Sequence, residues 1–443
     1  MENVLLIDFG STYTKVIAVE VSKPRLLGYA SAFTTISSDV NEGLESALAE
    51  LKSQTGIAKY HKRLACSSAA GGLRMIASGL APELTAKAAS LATVGAGAKI
   101  VGLYNHELTE EDITDIYAAS PDILLLTGGT DGGNKKCIIH NAKMLAGTPG
   151  DFPVIIAGNR NSSREVMQIL ADRRVYACEN VMPAVGTLNM EPARQLIRDI
   201  FLERIVHAKG LSGVLMPTPA AMLTAAELLA RDVGELIAVD VGGATTDVYS
   251  IAGGEPHSSN VIYKGLPEPY AKRTVEGDIG MRYSAMGIAE AAGISRIAEL
   301  AGMHEDIVLK DIEYLTKNTS TLPETMDQRA LDFALAALAV ETATLRHAGS
   351  LEETYTSSGR VFIQNGKDLT GVQTVVLTGG ALINNGRQSE LAGHVLYNGM
   401  KPQSLRPKKV KTLIDKHYIL AAMGLLCGYA PEAAMKIMKS NIL

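Results

Sequence analysis

The fold of this chain is decided by two stretches, Ile-Asp-Phe-Gly-Ser-Thr-Tyr at residues 7–13 and Asp-Val-Gly-Gly-Ala-Thr-Thr-Asp at residues 240–247. Each follows an apolar run, turns through glycine and small hydroxyl residues, and leads into a second apolar run. Because both turns are short, we expect each to join the strands of an antiparallel hairpin. The same strand–acid–glycine–hydroxyl–strand unit thus occurs in both halves of the chain, which indicates a duplicated domain.

Hairpins of this composition suit the binding of a polyphosphate. Glycine lets backbone amides approach an anion closely, and each hydroxyl can add a hydrogen bond of about 1.5–3 kcal/mol to a charged oxygen. Lys15, on the strand after the first turn, either reaches a phosphate or is solvated. The predicted nucleotide-binding residues of the hairpins are Gly10, Ser11, Thr12, Tyr13, Lys15, Gly242, Gly243, Ala244, Thr245 and Thr246.

Acidic residues stand at the ends of these strands. They would not touch phosphate directly, because like charges repel, but Asp8 and Asp240 can hold Mg²⁺ through its waters, since this ion sheds water reluctantly. Asp247 can orient a water or the metal, so Asp8 and Asp247 are the catalytic candidates. One such turn alone is equally compatible with a tight Asp-x-Gly β-turn; two copies are more specific.

The rest of the chain predicts an α/β protein. Strands and helices alternate between residues 99 and 177, as in a parallel sheet with helical crossovers. We predict a first lobe at 1–84, an inserted α/β subdomain at 85–180, connecting helices at 181–235 and a second lobe at 236–443. The tail is expected to finish in an apolar helix over 417–428.

Composition narrows the function. The 443 residues carry a net charge of −5 and no Trp, which argues against a nucleic-acid binder. The four cysteines are far apart, so a reducing cytoplasm is expected rather than a disulfide framework or a structural zinc site. The start of the chain has no signal-peptide pattern, and no apolar run approaches the ~20 residues of a membrane helix.

The two hairpin motifs resemble the phosphate motifs of the actin, hexokinase and Hsp70 superfamily. Val376-Leu377-Thr378-Gly379-Gly380-Ala381 resembles its adenosine motif, where glycines let the base and ribose pack on the backbone. The resemblance implies an actin-like ATPase fold of duplicated ribonuclease H-like domains with an α/β insertion. It also implies that Gly379, Gly380 and Ala381 bind the nucleoside of ATP or ADP, with Mg²⁺.

One acid of that superfamily is missing. Hsp70-like members have a Glu-Pro-Thr-Ala-Ala segment before the second phosphate motif, and here Met216-Pro217-Thr218-Pro219-Ala220-Ala221 stands at its place. Because a general base contributes ~10²–10⁴-fold, we expect at most a slow ATPase, and a fast sugar kinase is disfavoured. The alternative is a helix that begins at a proline-rich turn and has no catalytic duty.

A closer resemblance is to the GlmL/MutL family, which differs from the mismatch-repair protein of that name. Four segments carry it: Cys66–Leu73, Leu125–Asn134, Asp240–Asp247 and Val275–Arg282. Members accompany glutamate mutase and related adenosylcobalamin-dependent aminomutases. The resemblance implies an ATP-binding, chaperone-like reactivating factor that opens such a mutase to release damaged cofactor.

Several alternatives stay open. The fold also serves small-molecule kinases, ATP-coupled metabolic enzyme subunits and assembly proteins. The insertion lacks an Asp-x-His-x-x-Gly cobalamin motif, so it is expected to dock a partner, while a ligand site or a plain glycine turn at 124–133 are the other interpretations. Glu276 and Asp278 either close over phosphate or metal or are structural, and Glu341, Arg346 and His347 either flank adenine or form a helix end. The partner mutase, the use of hydrolysis or exchange, and the oligomeric state, a homo-oligomer included, are not decided by the sequence.

Overall fold

The structure is a computed structural model that describes residues 2–10, 12–33, 40–68, 73–147, 150–209, 214–256, 258, 260–357 and 359–443. The predicted phosphate ligand Ser11 and residues 69–72 of the Cys66–Leu73 segment lie outside the described residues. The chain forms two compact units. The first comprises Met1–Ser22 and Leu26–Ala221, and the second Lys23–Arg25 and Met222–Leu443.

The described residues of the first unit form ten strands, six α-helices and the start of a seventh. In chain order the elements are β1 (Asn3–Phe9), β2 (Tyr13–Glu20), β3 (Arg25–Phe33), α1 (Val40–Thr55), β4 (Lys62–Ser67), β5 (Arg74–Gly79), α2 (Lys87–Gly95), β6 (Lys99–Asn105), α3 (Glu110–Ala119), β7 (Ile123–Leu126), α4 (Lys136–Ala146), β8 (Val154–Ile156), α5 (Arg160–Ile169), β9 (Val175–Ala177), α6 (Glu191–Lys209), β10 (Val214–Pro217) and α7 (Thr218–Val233). A single turn of π-helix, Pro82–Ala86, leads into α2.

One sheet of this unit contains the first hairpin. Its strand order is β10-β4-β1-β2-β3, with β1 antiparallel to β2 and parallel to β4. The apolar run Val4–Ile7 is buried throughout, as expected for a central strand covered on both faces. Helix α1 packs against β2. The predicted hairpin of β1 and β2 is confirmed.

The insertion forms a second sheet in the order β6-β5-β7-β8-β9, and all its strands are parallel. In the order of the chain this is 2-1-3-4-5, the flavodoxin-like doubly wound arrangement. Crossovers in parallel sheets are right-handed as a rule, which puts α2 on one face and α3, α4 and α5 on the other. In agreement with this, α4 packs against both α3 and α5. Helix α6 packs beside α2. The sheet takes in β5, which precedes residue 85, and the division into four domains remains a prediction.

The second unit takes in the rest of α7 and the following elements: β11 (Leu236–Val241), β12 (Thr246–Ile251), β13 (Val261–Lys264), β14 (Ala271–Glu276), α8 (Ala285–Ala292), α9 (Ile294–Ala301), α10 (Glu305–Lys317), α11 (Met326–His347), β15 (Ser350–Thr356), β16 (Gly359–Asn365), β17 (Thr374–Thr378), α12 (Gly380–Ile383), α13 (Gln388–Gly393), β18 (Lys411–Ile414), α14 (Leu420–Cys427) and α15 (Pro431–Asn441). The predicted last helix, 417–428, corresponds to α14. It is not the last one, because Pro431 at the first turn starts α15.

The main sheet of the second unit repeats the topology of the hairpin sheet in the first. Its order is β14-β12-β11-β17-β18, with β11 antiparallel to β12 and parallel to β17. In both sheets three antiparallel strands are followed by two parallel ones, which confirms the predicted duplicated, actin-like fold. The apolar helix α11 packs on this sheet, and β13-β16-β15 form a separate small sheet.

Candidate functional site

The first hairpin closes through glycine, as its sequence predicts. The strands pair Asp8 with Lys15 and Phe9 with Thr14, and the Gly10 amide donates to the Tyr13 carbonyl at 3.1 Å. A Cβ at Gly10 would lie 2.5 Å from that same carbonyl oxygen. Only glycine therefore permits this turn, which brings Gly10, Thr12, Tyr13 and Asp8 to one end of the sheet.

Asp8 is held at this end by three neighbours. Its Oδ1 accepts hydrogen bonds from Thr218 Oγ1 at 2.6 Å and Cys66 Sγ at 3.5 Å, and Lys15 Nζ lies 3.6 Å from Oδ2. Burial, together with the Asp8 charge, raises the pKa of Cys66 well above its ordinary value, so the thiol stays protonated and donates. The sequence did not single out Cys66 as a neighbour of Asp8, because β4 brings it there from a distant part of the chain.

Met216 lies beside this group. The register of β10 on β4 places Met216 next to Cys66 and Pro217 next to Ser67, and α7 begins at Thr218. The segment is therefore a strand end followed by a helix, as the non-catalytic alternative describes. A thioether stands here in place of a carboxylate, and Thr218 supplies the polar contact to Asp8.

The second hairpin has the same construction. It pairs Asp240 with Asp247, and the Gly242 amide donates to the Thr245 carbonyl at 2.9 Å. The hydroxyl of Thr246 is fully buried and has no hydrogen-bond partner among the described residues. A buried hydroxyl without a partner is costly, so this turn has donor capacity left for a ligand.

The two acids of this hairpin have different surroundings. Asp247 is held by the buried Arg273, whose Nη2 and Nε lie 2.6 and 2.8 Å from Oδ1, and it also accepts from Thr245 Oγ1 at 3.3 Å. Asp240 accepts from the Tyr418 hydroxyl at 2.8 Å. The charge of Asp247 is thus offset by a guanidinium, whereas Asp240 has a neutral donor.

A loop packs directly onto the second turn. The Met281 amide donates to the Gly242 carbonyl, and the amides of Arg282 and Tyr283 donate to the Gly243 carbonyl, at 2.8–3.0 Å. A Cβ at Gly280 would lie 2.4 Å from the carbonyl carbon of Ala244. The loop after β14 and the phosphate turn therefore form one rigid group, which the motif order alone did not reveal.

Glu276 and Asp278, which the sequence placed in this loop, are bound to Arg346, which it placed at the end of a separate helix. Arg346 Nη1 lies 2.7 Å from Glu276 Oε2 and 2.9 Å from Asp278 Oδ1. Burial raises the pKa of Glu276 above its ordinary value, although Arg346 opposes this. His347 is fully buried between Ser250 and Thr274, and burial lowers its pKa well below its ordinary value.

Glu341 is buried in α11. Burial alone would raise its pKa, but hydrogen bonds from His394 and Arg296 lower it to about 2. Its carboxylate is thus a stable anion that is bound by the side chains of Arg296 and His394.

The third glycine segment meets the second hairpin. Gly379 has φ +90° and ψ 140°, and a Cβ there would lie 2.5 Å from the Val241 carbonyl oxygen and 2.6 Å from Asp240 Oδ1. Thr378 Oγ1 donates to the buried Asp415, which also accepts the first amides of α14. Thus the structure brings together three predicted segments of the second unit, 240–247, 275–282 and 376–381.

Two further observations concern metal binding and membranes. No group of three or more His, Cys, Asp or Glu side chains is placed to hold a metal within the described part of the chain. Across the same residues, every helix is too short or too polar to cross a membrane.

Comparisons with known proteins agree with the closer resemblance. A family model described as MutL protein matches residues 4–442. Protein MutL of Clostridium tetanomorphum is 45% identical over 460 residues, which cover 100% of both chains.

Solved structures show more distant likeness. Nucleotide-free acetone carboxylase has a TM-score of 0.44 at 13% identity, covering 95% of this chain and 69% of that one. Xylulose kinase from Lactobacillus acidophilus has 0.36 at 10%, covering 100% and 92%. The activator of 2-hydroxyisocaproyl-CoA dehydratase from Clostridium difficile, with bound ADPNP, has 0.32 at 10%, covering 99% and 97%.

Proposed function

The chain belongs to the MutL protein family, and from that premise we propose that it is an ATP-dependent accessory factor of an adenosylcobalamin-dependent aminomutase such as glutamate mutase. Its proposed task is to reactivate the mutase after the cofactor has lost its adenosyl group. The proposal combines two parts, a nucleotide site in this chain and a protein partner, which separate experiments can test.

The nucleotide part rests on one observation, the duplicated glycine hairpin that ends each main sheet at an aspartate. The buried Thr246 hydroxyl, which has no hydrogen-bond partner in the part of the chain that the structure describes, supports a phosphate ligand in the second hairpin. The approach of Gly379 to Asp240 and Val241 supports a nucleoside next to that phosphate site. We therefore assign the phosphates to residues 10–13, Lys15 and 242–246, and the nucleoside to Gly379, Gly380 and Ala381.

Magnesium is proposed to be held through its waters, by Asp8 and Asp240. This fits the position of both aspartates, each of which stands near the end of its strand, with one residue between it and the first glycine of the turn. The bound ion would neutralise phosphate charge. Asp8 would keep the water shell in place, and the buried Thr218 and Cys66, together with the partly exposed Lys15, would keep Asp8 in place.

Hydrolysis is proposed to be slow. Met216, next to Cys66 on the strand beyond it, provides no general base, and Arg273 occupies Asp247 Oδ1, which leaves Asp247 better suited to orienting a water than to taking its proton. ATP and ADP would then favour different closures and bias a two-state hinge. The protein acts in the cytoplasm on this proposal, as a switch whose product is a change in another protein.

The inserted flavodoxin-like region is proposed to dock the mutase. It has its own parallel sheet and helices on both faces, so it can present a partner surface without disturbing the hairpin sheet. The sequence carries no Asp-x-His-x-x-Gly motif that would bind base-off cobalamin. A variant without residues 74–180, which removes β5 together with the rest of its sheet, is expected to lose the mutase in a pull-down and to keep ATP binding. Loss of both would contradict a modular insertion.

The decisive experiment uses glutamate mutase inactivated with hydroxocobalamin. Adding the wild-type protein with ATP, Mg²⁺ and adenosylcobalamin should restore mutase activity and release hydroxocobalamin, followed by its visible absorption. The same protein without ATP is the control. Recovery that does not depend on ATP, or ATP binding without recovery, would contradict the reactivation role.

The alternative is a small-molecule kinase or an ATP-coupled metabolic enzyme subunit. It predicts ADP release that a small substrate stimulates and that needs no protein partner. Met216 disfavours the kinase alternative, because a kinase needs an acid to accept the substrate hydroxyl proton.

A further inference from the structure

The contact between Thr218 and Asp8 has a function of its own. Thr218 Oγ1 lies 2.6 Å from Asp8 Oδ1, and both residues are buried, at 7% and 5% exposure. Hydrogen bonds to a charged acceptor in a buried site are among the stronger ones that proteins form. A buried, charge-assisted hydrogen bond from Thr218 therefore orients one oxygen of Asp8, the carboxylate that the proposed function assigns to magnesium.

The Thr218 hydroxyl belongs to the segment that follows β10, the edge strand of the sheet that contains Asp8. Asp8 lies opposite Cys66 of β4, and β4 in turn pairs with β10 up to Pro217. Thr218 follows directly as the first residue of α7. The hydroxyl thus reaches Asp8 across one intervening strand, and its position depends on the register of β10.

The two oxygens of Asp8 are distinguished by their neighbours. Oδ1 receives the hydroxyl and the weaker thiol, which are neutral donors, whereas the ammonium of Lys15 lies 3.6 Å from Oδ2. Without the hydroxyl, the carboxylate would turn toward the ammonium, because the opposite charge is then its strongest remaining neighbour. The plane of the carboxylate, and so the direction of its free lone pairs, depends on Thr218.

We infer that Thr218 is a positioning residue for Asp8 and sets the geometry in which this carboxylate meets the water shell of magnesium–ATP. The inference rests on the proposed nucleotide function. It also gives α7 a role, since this helix starts at the Asp8 contact and the chain passes from the first compact unit to the second after Ala221. Thr218, which orients Asp8, is therefore also the first residue of α7, and it is within α7 that the chain passes from the first unit to the second.

The test compares ATP affinity with and without magnesium. Thr218→Val removes the donor and keeps the shape, so the Kd for ATP in Mg²⁺ should rise at least about tenfold, the factor that one lost bond to a charged group implies. The Kd for ATP in EDTA should stay at the wild-type value. Thr218→Ser keeps the hydroxyl and should restore the magnesium dependence.

The matched control is Thr127→Val, which removes a buried hydroxyl that donates to the Ser78 carbonyl at 2.8 Å, away from both hairpins. It should lower stability and leave both Kd values unchanged. If T218V is not folded by circular dichroism, Thr218→Cys, with its weak S–H donor, takes its place, and the same loss is expected.

Two results would overturn the inference. One is a T218V protein with the wild-type magnesium dependence, and the other is an equal loss in Mg²⁺ and in EDTA, which would show a structural role only. A wild-type protein that binds no ATP under either condition would remove the nucleotide proposal and this inference together.

Discussion

Replacing Gly379 with alanine should separate the nucleoside segment from the second phosphate hairpin. The backbone of Gly379, at φ +90° and ψ 140°, lies in a region that is costly for any residue with a side chain, by about 1–3 kcal/mol. In addition, the new Cβ would lie 2.5 Å from the Val241 carbonyl oxygen and 2.6 Å from Asp240 Oδ1. An ordinary contact begins near 3.4 Å, so one side must move by 0.9 Å.

Both contacted atoms belong to the hairpin core, so the movement has to come from the segment 378–381. Overpacking of this kind typically costs a further 1–3 kcal/mol, which makes a total of about 2–6 kcal/mol. Every 1.4 kcal/mol that appears as weaker binding is tenfold in Kd. We expect the Kd for ATP to rise at least about thirtyfold by isothermal titration calorimetry, or the urea midpoint to fall by a matching amount.

Gly386→Ala is the control, because Gly386 follows a few residues later, has no positive φ, and has nothing within 4 Å of a Cβ. It should bind ATP and unfold as the wild type does. If G379A also matches the wild type in both measurements, the close approach of the nucleoside segment to Asp240 does not exist or does not matter, and the assignment of the adenosine motif fails.

Three further outcomes are expected. Met216→Glu should raise the ATP hydrolysis rate by about 10²-fold, measured as phosphate release, because it puts an acid at the place where the Hsp70-like segment has its glutamate; an unchanged rate would show that a base is not what limits hydrolysis. Gly280→Ala should weaken ATP binding more than adenosine binding, since its Cβ would lie 2.4 Å from Ala244 in the phosphate turn, and the uncrowded Gly399→Ala should change neither. The free energy of unfolding contributed by Glu341, whose pKa in the fold is about 2 against an ordinary 4.5, should be fully present above pH 4.5 and decline as pH falls toward 2. Urea titrations across this window should show a shallower decline in Glu341→Gln, and equal slopes would contradict the ion-pair network.

Local patterns predicted the hairpins well. The strands β1 and β2, and β11 and β12, have the glycine turns that their sequences indicate, because a short turn between two apolar runs has few alternatives. Helix α3 also has a local start signal, since Thr109 and Asp112 form a capping box before its first residue, Glu110. The duplication was also visible, since it repeats a local motif.

Long-range partners were not visible in the same way. Thr218 contacts Asp8 because β10, which is far from β1 in the sequence, pairs with β4 in the same sheet. No local sequence pattern gives the register of that pairing. The small sheet β13-β16-β15 was missed because its strands are partly exposed and lack a clear apolar alternation. The contact of the loop after β14 with the phosphate turn is made by backbone groups, which every sequence shares.

The place of the insertion has a consequence for how the protein is made. β4 and β10 are neighbours in one sheet, yet the whole flavodoxin-like region lies between them in the chain. At ~5–20 residues per second, a ribosome needs roughly 7–30 s to synthesise the ~150 residues between these strands. Throughout that interval the nascent chain exposes the unpaired edge of β4, which invites pairing with other chains. Correct folding of the first unit therefore depends on the insertion folding early and independently. The sheet that contains Asp8 can be completed only after β10 has been synthesised.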